Sequence, residues 1–349
     1  MFVSYTIVNP LTIIRTTRRL PRKGEVLARV GDPVEPAHIV AQANEPPDFR
    51  IIDVARELDV PVKKTATCVR VKDGDNVNEG DVLATRGGLG ARAVRAPISG
   101  VIVGKGRGRL WLEAPPTLIR LNALVPGTVV TVLPGEGVVI ETVGAHIQAA
   151  WGNGREAFGV MRAVVRAPKN PMRPKHIDAS AQGAILVGGS KIDEETLEHA
   201  IEMQVRGIIV GSIPPSLMKR LETVTFPVIA TEGIGDMPMC QAIFDLLRSI
   251  DGREAAVSGQ WQAGSSFKRP YIVTPMPTQA GNPVDPESPP AVGNRVRVLR
   301  GPYASASGII AEMPTGAVPL ENGARMPGVY VDVGKERAFV PFANLERLL

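Results

Sequence analysis

The stretch GDPVEPAHIVA at residues 31–41 recurs as GDNVNEGDVLA at residues 74–84. Both read Gly-Asp-x-Val, four variable positions, then an apolar pair and Ala, at an offset of 43 residues. Gly tolerates positive φ and Asp bonds back to its own backbone, so Gly-Asp sets a tight turn. Val then opens a short strand, and a second turn leads into the apolar pair. One such hairpin cannot bury its apolar face alone, whereas two related by pseudo-symmetry can. The repeat therefore predicts a β domain over residues 1–141. Ala96–Val103 (APISGVIV) and Val125–Val132 (VPGTVVTV) each place Gly before alternating apolar residues and supply more strands. Asp53–Val60 predicts one short helix, stopped by Pro61.

Composition agrees with a chain rich in turns. Its 349 residues imply two or three domains. Gly (36) and Pro (31) make up nearly a fifth of the chain, against about 12% on average. Aromatic residues are 4%, which argues against base stacking as the main activity. No apolar run is long enough to span a membrane as a helix. The N-terminal apolar run lacks the charge order and cleavage site of a signal peptide. Cys68 and Cys240 stand apart, and the four histidines show no ligand spacing. Neither a metal site nor a cofactor is expected, and the expected address is the cytoplasm. The net charge is +5. Arg15, Arg18 and Arg19 lead a basic run near the N-terminus, and Arg295, Arg297 and Arg300 form a second cluster. Each reads as a solvated face or as a footprint for an anionic partner.

The stretch VKDGDNVNEGDVLATR…RAPISGVIVGKG resembles the barrel-sandwich hybrid family over about residues 20–140. That family includes biotinyl and lipoyl carrier domains, the N-terminal module of the Rnf complex C subunit, and modules of RNA polymerase. Carrier domains present a modified Lys at a hairpin tip. The corresponding stretch, ATRGGLGA at 84–91, has none, so no swinging arm is expected. Two lone cysteines do not supply the cluster motifs of the Rnf-type subunit. The resemblance thus implies a scaffold without its relatives' chemistry.

Residues 142–263 read as an α/β unit with a parallel sheet. GAILVGG (183–189), GIIVGS (207–212) and FPVIATEGIG (226–235) are apolar runs suited to strands buried on both faces, and EAAVSG (254–259) adds a fourth. Helical spacing lies between them at Asp193–Val205, Pro214–Leu221 and Pro238–Ile250. The first three strands end in Gly188-Gly189-Ser190, Gly211-Ser212 and Thr231-Glu232-Gly233. Ligands of open α/β sheets sit at carboxyl strand ends, and helix N-termini there attract anions. These eight residues form a candidate site for a small anion; the alternative is glycine serving tight strand–helix connections. Glu232 is the lone carboxylate among them. No dinucleotide or P-loop motif occurs, and no nucleophile–base pair can be named, so no catalytic residue is assigned.

Seven prolines within 264–291 predict a stiff linker. Residues 292–349 alternate Val with polar residues in four or five short strands, ending in a helix-like turn at Asn344–Leu349. Gly293, Val296, Val298, Gly301-Pro302-Tyr303 and Gly308-Ile309-Ile310 make this stretch similar to a KOW module, a small SH3-like barrel. The resemblance implies a partner surface around Arg295, Arg297, Arg300 and Tyr303 touching RNA, DNA or protein. The expected architecture is a barrel-sandwich hybrid, then an α/β parallel sheet, then an SH3-like β-barrel. The expected function is non-catalytic binding: of nucleic acid or a nucleoprotein complex, of protein partners or further copies as a scaffold, or of a small anion on the α/β sheet.

Overall fold

The computed structural model describes residues 4–87, 91–261, 269–278, 289–320 and 323–349. The protein is mostly β, 45% strand against 14% helix, with several separate sheets. No helix among the described residues is long and apolar enough to cross a membrane.

The two sequence repeats adopt one local geometry twice. Gly31 and Gly74 sit at φ 93° and 92°. Asp32 accepts from the Arg29 N–H and Asp75 from the Lys72 N–H, both at 2.7 Å. Gly31 donates to the Val129 carbonyl at 2.8 Å, and Gly74 to that of Ile102 at 2.7 Å. Val34 pairs with Gly127, and Val77 with Gly100. A Cβ at Gly127 would lie 2.3 Å from the Glu141 carbonyl oxygen, and one at Gly100 2.2 Å from that of Glu113, so both positions require glycine.

The copies do not share a core, however. Val34 and Val40 pack with Val129, Val138 and Ile140. Val77, Leu83 and Ala84 pack with Ile52, Leu110 and Leu112. The expectation that the two hairpins cover one another is corrected here. The second unit lies inside the chain interval that separates the halves of the first. It enters at Asp48 and leaves at Ala114, whose N–H donates to the Asp48 carbonyl at 2.8 Å. Its helix, Val54–Glu57, is capped by Asp53 and buries Val54 in the same core. Residues 88–90 of the hairpin-tip stretch lie outside the described residues.

The largest sheet has eleven strands. Its parallel part consists of Glu156–Ala163, Ile185–Val187, Gly207–Ile213 and Val228–Ile234, in that order. Helix Gln241–Ser249 covers one face through Ile243, Phe244 and Leu247; helix Glu194–Glu202 covers the other through Leu197 and Ala200. Burial on both faces is why these strands are unbroken apolar runs. Each such side chain contributes about 1.5–3 kcal/mol.

Glu254–Ser258, expected as a fourth parallel strand, pairs antiparallel with Glu156–Ala163. Gly252, at φ 76°, turns the chain back, and its N–H donates to the Met161 carbonyl. The sheet continues antiparallel through Tyr271–Pro275 and Gly137–Gln148, which also pairs with Val8–Arg19. Two expected boundaries therefore fall differently. Gly137–Gln148 runs through 141, and Tyr271–Pro275 is a buried strand where linker was expected. The linker stretches 264–268 and 279–288 lie outside the described residues.

A six-stranded sheet closes the chain, in the order Ser4–Thr6, Leu345–Leu348, Arg295–Val298, Ser307–Glu312, Gly328–Val333 and Glu336–Pro341. Leu345–Leu348 is a strand rather than the expected helical turn. It pairs parallel with Ser4–Thr6 and antiparallel with Arg295–Val298.

Candidate functional site

The carboxyl ends of Ile185–Val187 and Gly207–Ile213 are covered by the chain itself, and a cavity of about 200 Å³ remains beside Glu232, Met237 and Arg297. A Cβ at Gly189 would lie 2.4 Å from the Asn170 carbonyl oxygen, and one at Gly211 2.5 Å from the Met239 nitrogen. Gly188 lies against Met172, and its N–H donates to Ile209. The N–H groups of Ser190, Gly211 and Ser212 donate to the carbonyls of Asn170, Gly189 and Ser190. The Ser212 hydroxyl accepts from the Met237 N–H at 2.9 Å and donates to the Met237 carbonyl at 3.0 Å. The expected anion site at Gly188, Gly189, Ser190, Gly211 and Ser212 is thus corrected: these glycines permit close chain crossing, and the N–H groups of Gly188, Ser190, Gly211 and Ser212 are used.

The anion at this end is the protein's own. Glu232, between Thr231 and Gly233, accepts from the Cys240 N–H at the start of helix Gln241–Ser249, at 3.0 Å, and from the Thr231 hydroxyl at 3.2 Å. Its other oxygen accepts from Arg297 Nη1 at 2.8 Å. Arg297 also donates to Glu346, which in turn accepts from Thr6 Oγ1 at 2.5 Å and from Arg269 Nη1 at 3.0 Å. Arg297, Glu232 and Glu346 are each about 95% buried at the side chain. Burial pushes the Glu232 carboxyl up against the pull of Arg297. Burial and the Glu232 charge push the Cys240 thiol up. Burial opposes ionisation of Glu346 as well, but Arg297 and Thr6 outweigh it and hold that carboxyl below its usual range. This chain of charges joins the C-terminal sheet to the α/β unit.

Arg297 is therefore not part of a partner surface, because its strand is covered on both sides. Arg18 is corrected likewise. It is buried, donates both terminal nitrogens to Glu156 at 2.7 and 2.8 Å, and donates Nε to the Asn122 carbonyl at 3.0 Å. Arg15 pairs with Glu141 and Arg19 with Glu136 on the surface. The Tyr303 hydroxyl donates to Glu336 at 2.8 Å. Arg295 and Arg300 are exposed and have no ion-pair partner among the described residues. Arg297 is thus removed from the expected surface.

Register builds a polar row across the large sheet. Glu156 faces Ser258, Ser258 faces Tyr271, and Tyr271 faces Gln148, on four neighbouring strands. The Ser258 hydroxyl donates to Glu156 at 2.9 Å. In the adjacent row His146 stands edge-on to Tyr271, ring centroids 6.3 Å apart. Arg18 pairs with Val138 at the far end of the strand that carries Gln148. Its contact with Glu156 shows that the sheet curls until those ends meet.

On the outer side of the Arg18–Glu156 pair a cleft of about 920 Å³ opens at the amino ends of the parallel strands. Arg120 and Arg206 line it, both exposed and without an ion-pair partner among the described residues. Phe158 and Phe226 are half-buried in its wall. Gln182 and Gln204 stand side by side there, joined by one hydrogen bond of 2.9 Å. Its one carboxylate among the described residues, Glu156, is paired with Arg18 at both oxygens. The cleft therefore offers two free cations, two aromatic faces and amide groups.

Sequence reading did not single out these residues, because it looked for ligands after strands. The available signal was a polar residue just before the Gly that opens an apolar run, Gln182-Gly183 and Arg206-Gly207. No family model and no curated protein matches the chain.

Proposed function

We propose that this protein is a non-catalytic binding protein whose ligand is a nucleotide-class molecule, held in the cleft between the N-terminal β modules and the α/β unit. The observation that carries this reading is the pair of unpaired guanidiniums, Arg120 and Arg206, beside Phe158 and Phe226. Guanidinium forks match phosphate oxygens. Phenylalanine faces suit a planar base, and Gln182 and Gln204 offer donors and acceptors to its edge. The volume lies in the range of cofactor sites. The small-anion reading thus moves from the carboxyl to the amino ends of the strands. Calorimetric titration of the full chain with ADP tests it. Saturable binding is expected, weakened about tenfold or more by Arg120→Ala and by Arg206→Ala, since each removes a charged hydrogen bond. Absence of binding to ADP and GDP, or an unchanged affinity in the double variant, overturns it.

On this reading the nested Gly-Asp units form a barrel-sandwich-hybrid-like scaffold, supported by their shared turn geometry. The C-terminal sheet is a KOW-like module. A second function is favoured by the exposure of Arg295 and Arg300 with Tyr303 nearby: contact with nucleic acid. It predicts binding that weakens with salt, with a log–log slope that falls by about one for each arginine replaced by Ala. A slope unchanged in Arg295→Ala/Arg300→Ala removes it.

A further inference from the structure

A second, smaller cavity of about 210 Å³ lies on the other side of Arg18, at the mouth of the curled sheet. Among the described residues its wall contains three guanidiniums, Arg15, Arg18 and Arg269, and no carboxylate. Among the described residues Arg15 pairs with Glu141, Arg18 with Glu156 and Arg269 with Glu346. The wall is therefore rich in donors yet near neutral in net charge, which suits a monoanion better than a dianion. Two side chains in it have unspent hydrogen-bonding capacity. The Gln148 Oε1 accepts from the Ile7 N–H at 3.3 Å, which leaves its amide NH₂ for the cavity. The half-buried His146 ring has no hydrogen bond to any described residue. Burial pulls His146 down to about 4, so at neutral pH it offers one N–H and one acceptor nitrogen. Tyr271 is pushed up to about 12, chiefly by burial, and remains a phenol. The volume is below that of drug-sized sites and admits roughly seven water-sized groups.

We infer that this cavity binds a small monocarboxylate bearing a hydroxyl group, with the Gln148 amide donating to the carboxylate and His146 accepting from the hydroxyl. The site is separate from the nucleotide cleft and draws on none of Arg120, Arg206, Phe158 or Phe226. The test is calorimetric titration of the full chain with lactate, propionate and inorganic phosphate at matched ionic strength. Proton NMR follows the His146 ring in parallel. Lactate is expected to bind saturably and to shift the His146 resonances. Propionate, lacking the hydroxyl, is expected to bind about tenfold more weakly, and phosphate weaker still. Gln148→Leu and His146→Gln should each weaken lactate about tenfold, whereas Arg120→Ala/Arg206→Ala should leave it unchanged. Failure of the nucleotide reading therefore leaves this one standing. Phosphate binding as tightly as lactate overturns the inference. So does lactate binding without a shift at His146, or an absence of lactate binding at millimolar concentration.

Discussion

The parallel sheet ends in two different ways. At its carboxyl ends, the 167–172 segment, Met237, Glu232 and Arg297 cover the strands and use their donors. At its amino ends, Arg120 and Arg206 face an open cleft and have no ion-pair partner among the described residues. Open α/β sheets bind ligands at carboxyl ends because helix N-termini and small loops are free there. In this chain a protein carboxylate already sits at the helix N-terminus that would hold a ligand, and the C-terminal sheet is docked over it. The difference teaches that a strand-end site depends on what else packs at that end, not on the strand–loop pattern alone.

Breaking the sealed end should have the largest effect. Arg297→Ala leaves Glu232 and Glu346 buried without their shared cation, and unfolding in urea should show a loss of about 3–5 kcal/mol. Arg297→Ala/Glu232→Gln should recover part of it. A loss under about 1 kcal/mol in the single variant would mean that water reaches the pair and that the end is not sealed.

Acid sensitivity needs one contribution subtracted before it reports on the seal. His146 is neutral in the folded chain down to about pH 4, while in the unfolded chain it takes up a proton near 6.5. The unfolded state then binds more protons, so stability falls as pH drops from 6.5 towards 4, by about 2–3 kcal/mol. Arg18 and Tyr271, which share its cavity and are both shifted upward, add no titration in that window. His146→Gln should flatten that part of the profile, and an unaltered slope would show that His146 is solvated.

Gly211→Ala probes the crossing directly. The added methyl meets the Met239 backbone at 2.5 Å, for an expected loss of about 1–3 kcal/mol. A matched change at the open end, Arg120→Ala/Arg206→Ala, should move the unfolding midpoint least, within about 0.5 kcal/mol, while removing ADP binding. A large stability loss there would erase the contrast between the ends.

Local signals in the sequence were specific where short-range geometry decides structure. The Gly-Asp repeat, the helix expected from Asp193 and the three apolar strand runs all follow from turn chemistry and burial, which neighbouring residues set. What the sequence hid was partnership over long separations. Arg297 looks like a surface cation because it alternates with Val296 and Val298, but its partners lie 65 and 49 residues away at Glu232 and Glu346. Tyr271–Pro275 sits among prolines that read as linker, yet its neighbours across the sheet are Gln148 and Ser258. The cleft residues come from seven separate segments, and no single stretch carries their pattern.

The nesting of one Gly-Asp unit inside the other has an architectural consequence. Because the chain arrives at Asp48 and departs at Ala114 through hydrogen-bonded neighbours, residues 49–113 form a cartridge with adjoining ends. A short bridge from 48 to 114 should leave the surrounding unit closed, since its own core of Val34, Val40, Val129 and Ile140 draws on nothing within the insert. The inner copy can therefore be exchanged or drift in its surface chemistry without disturbing the sheet that frames the cleft.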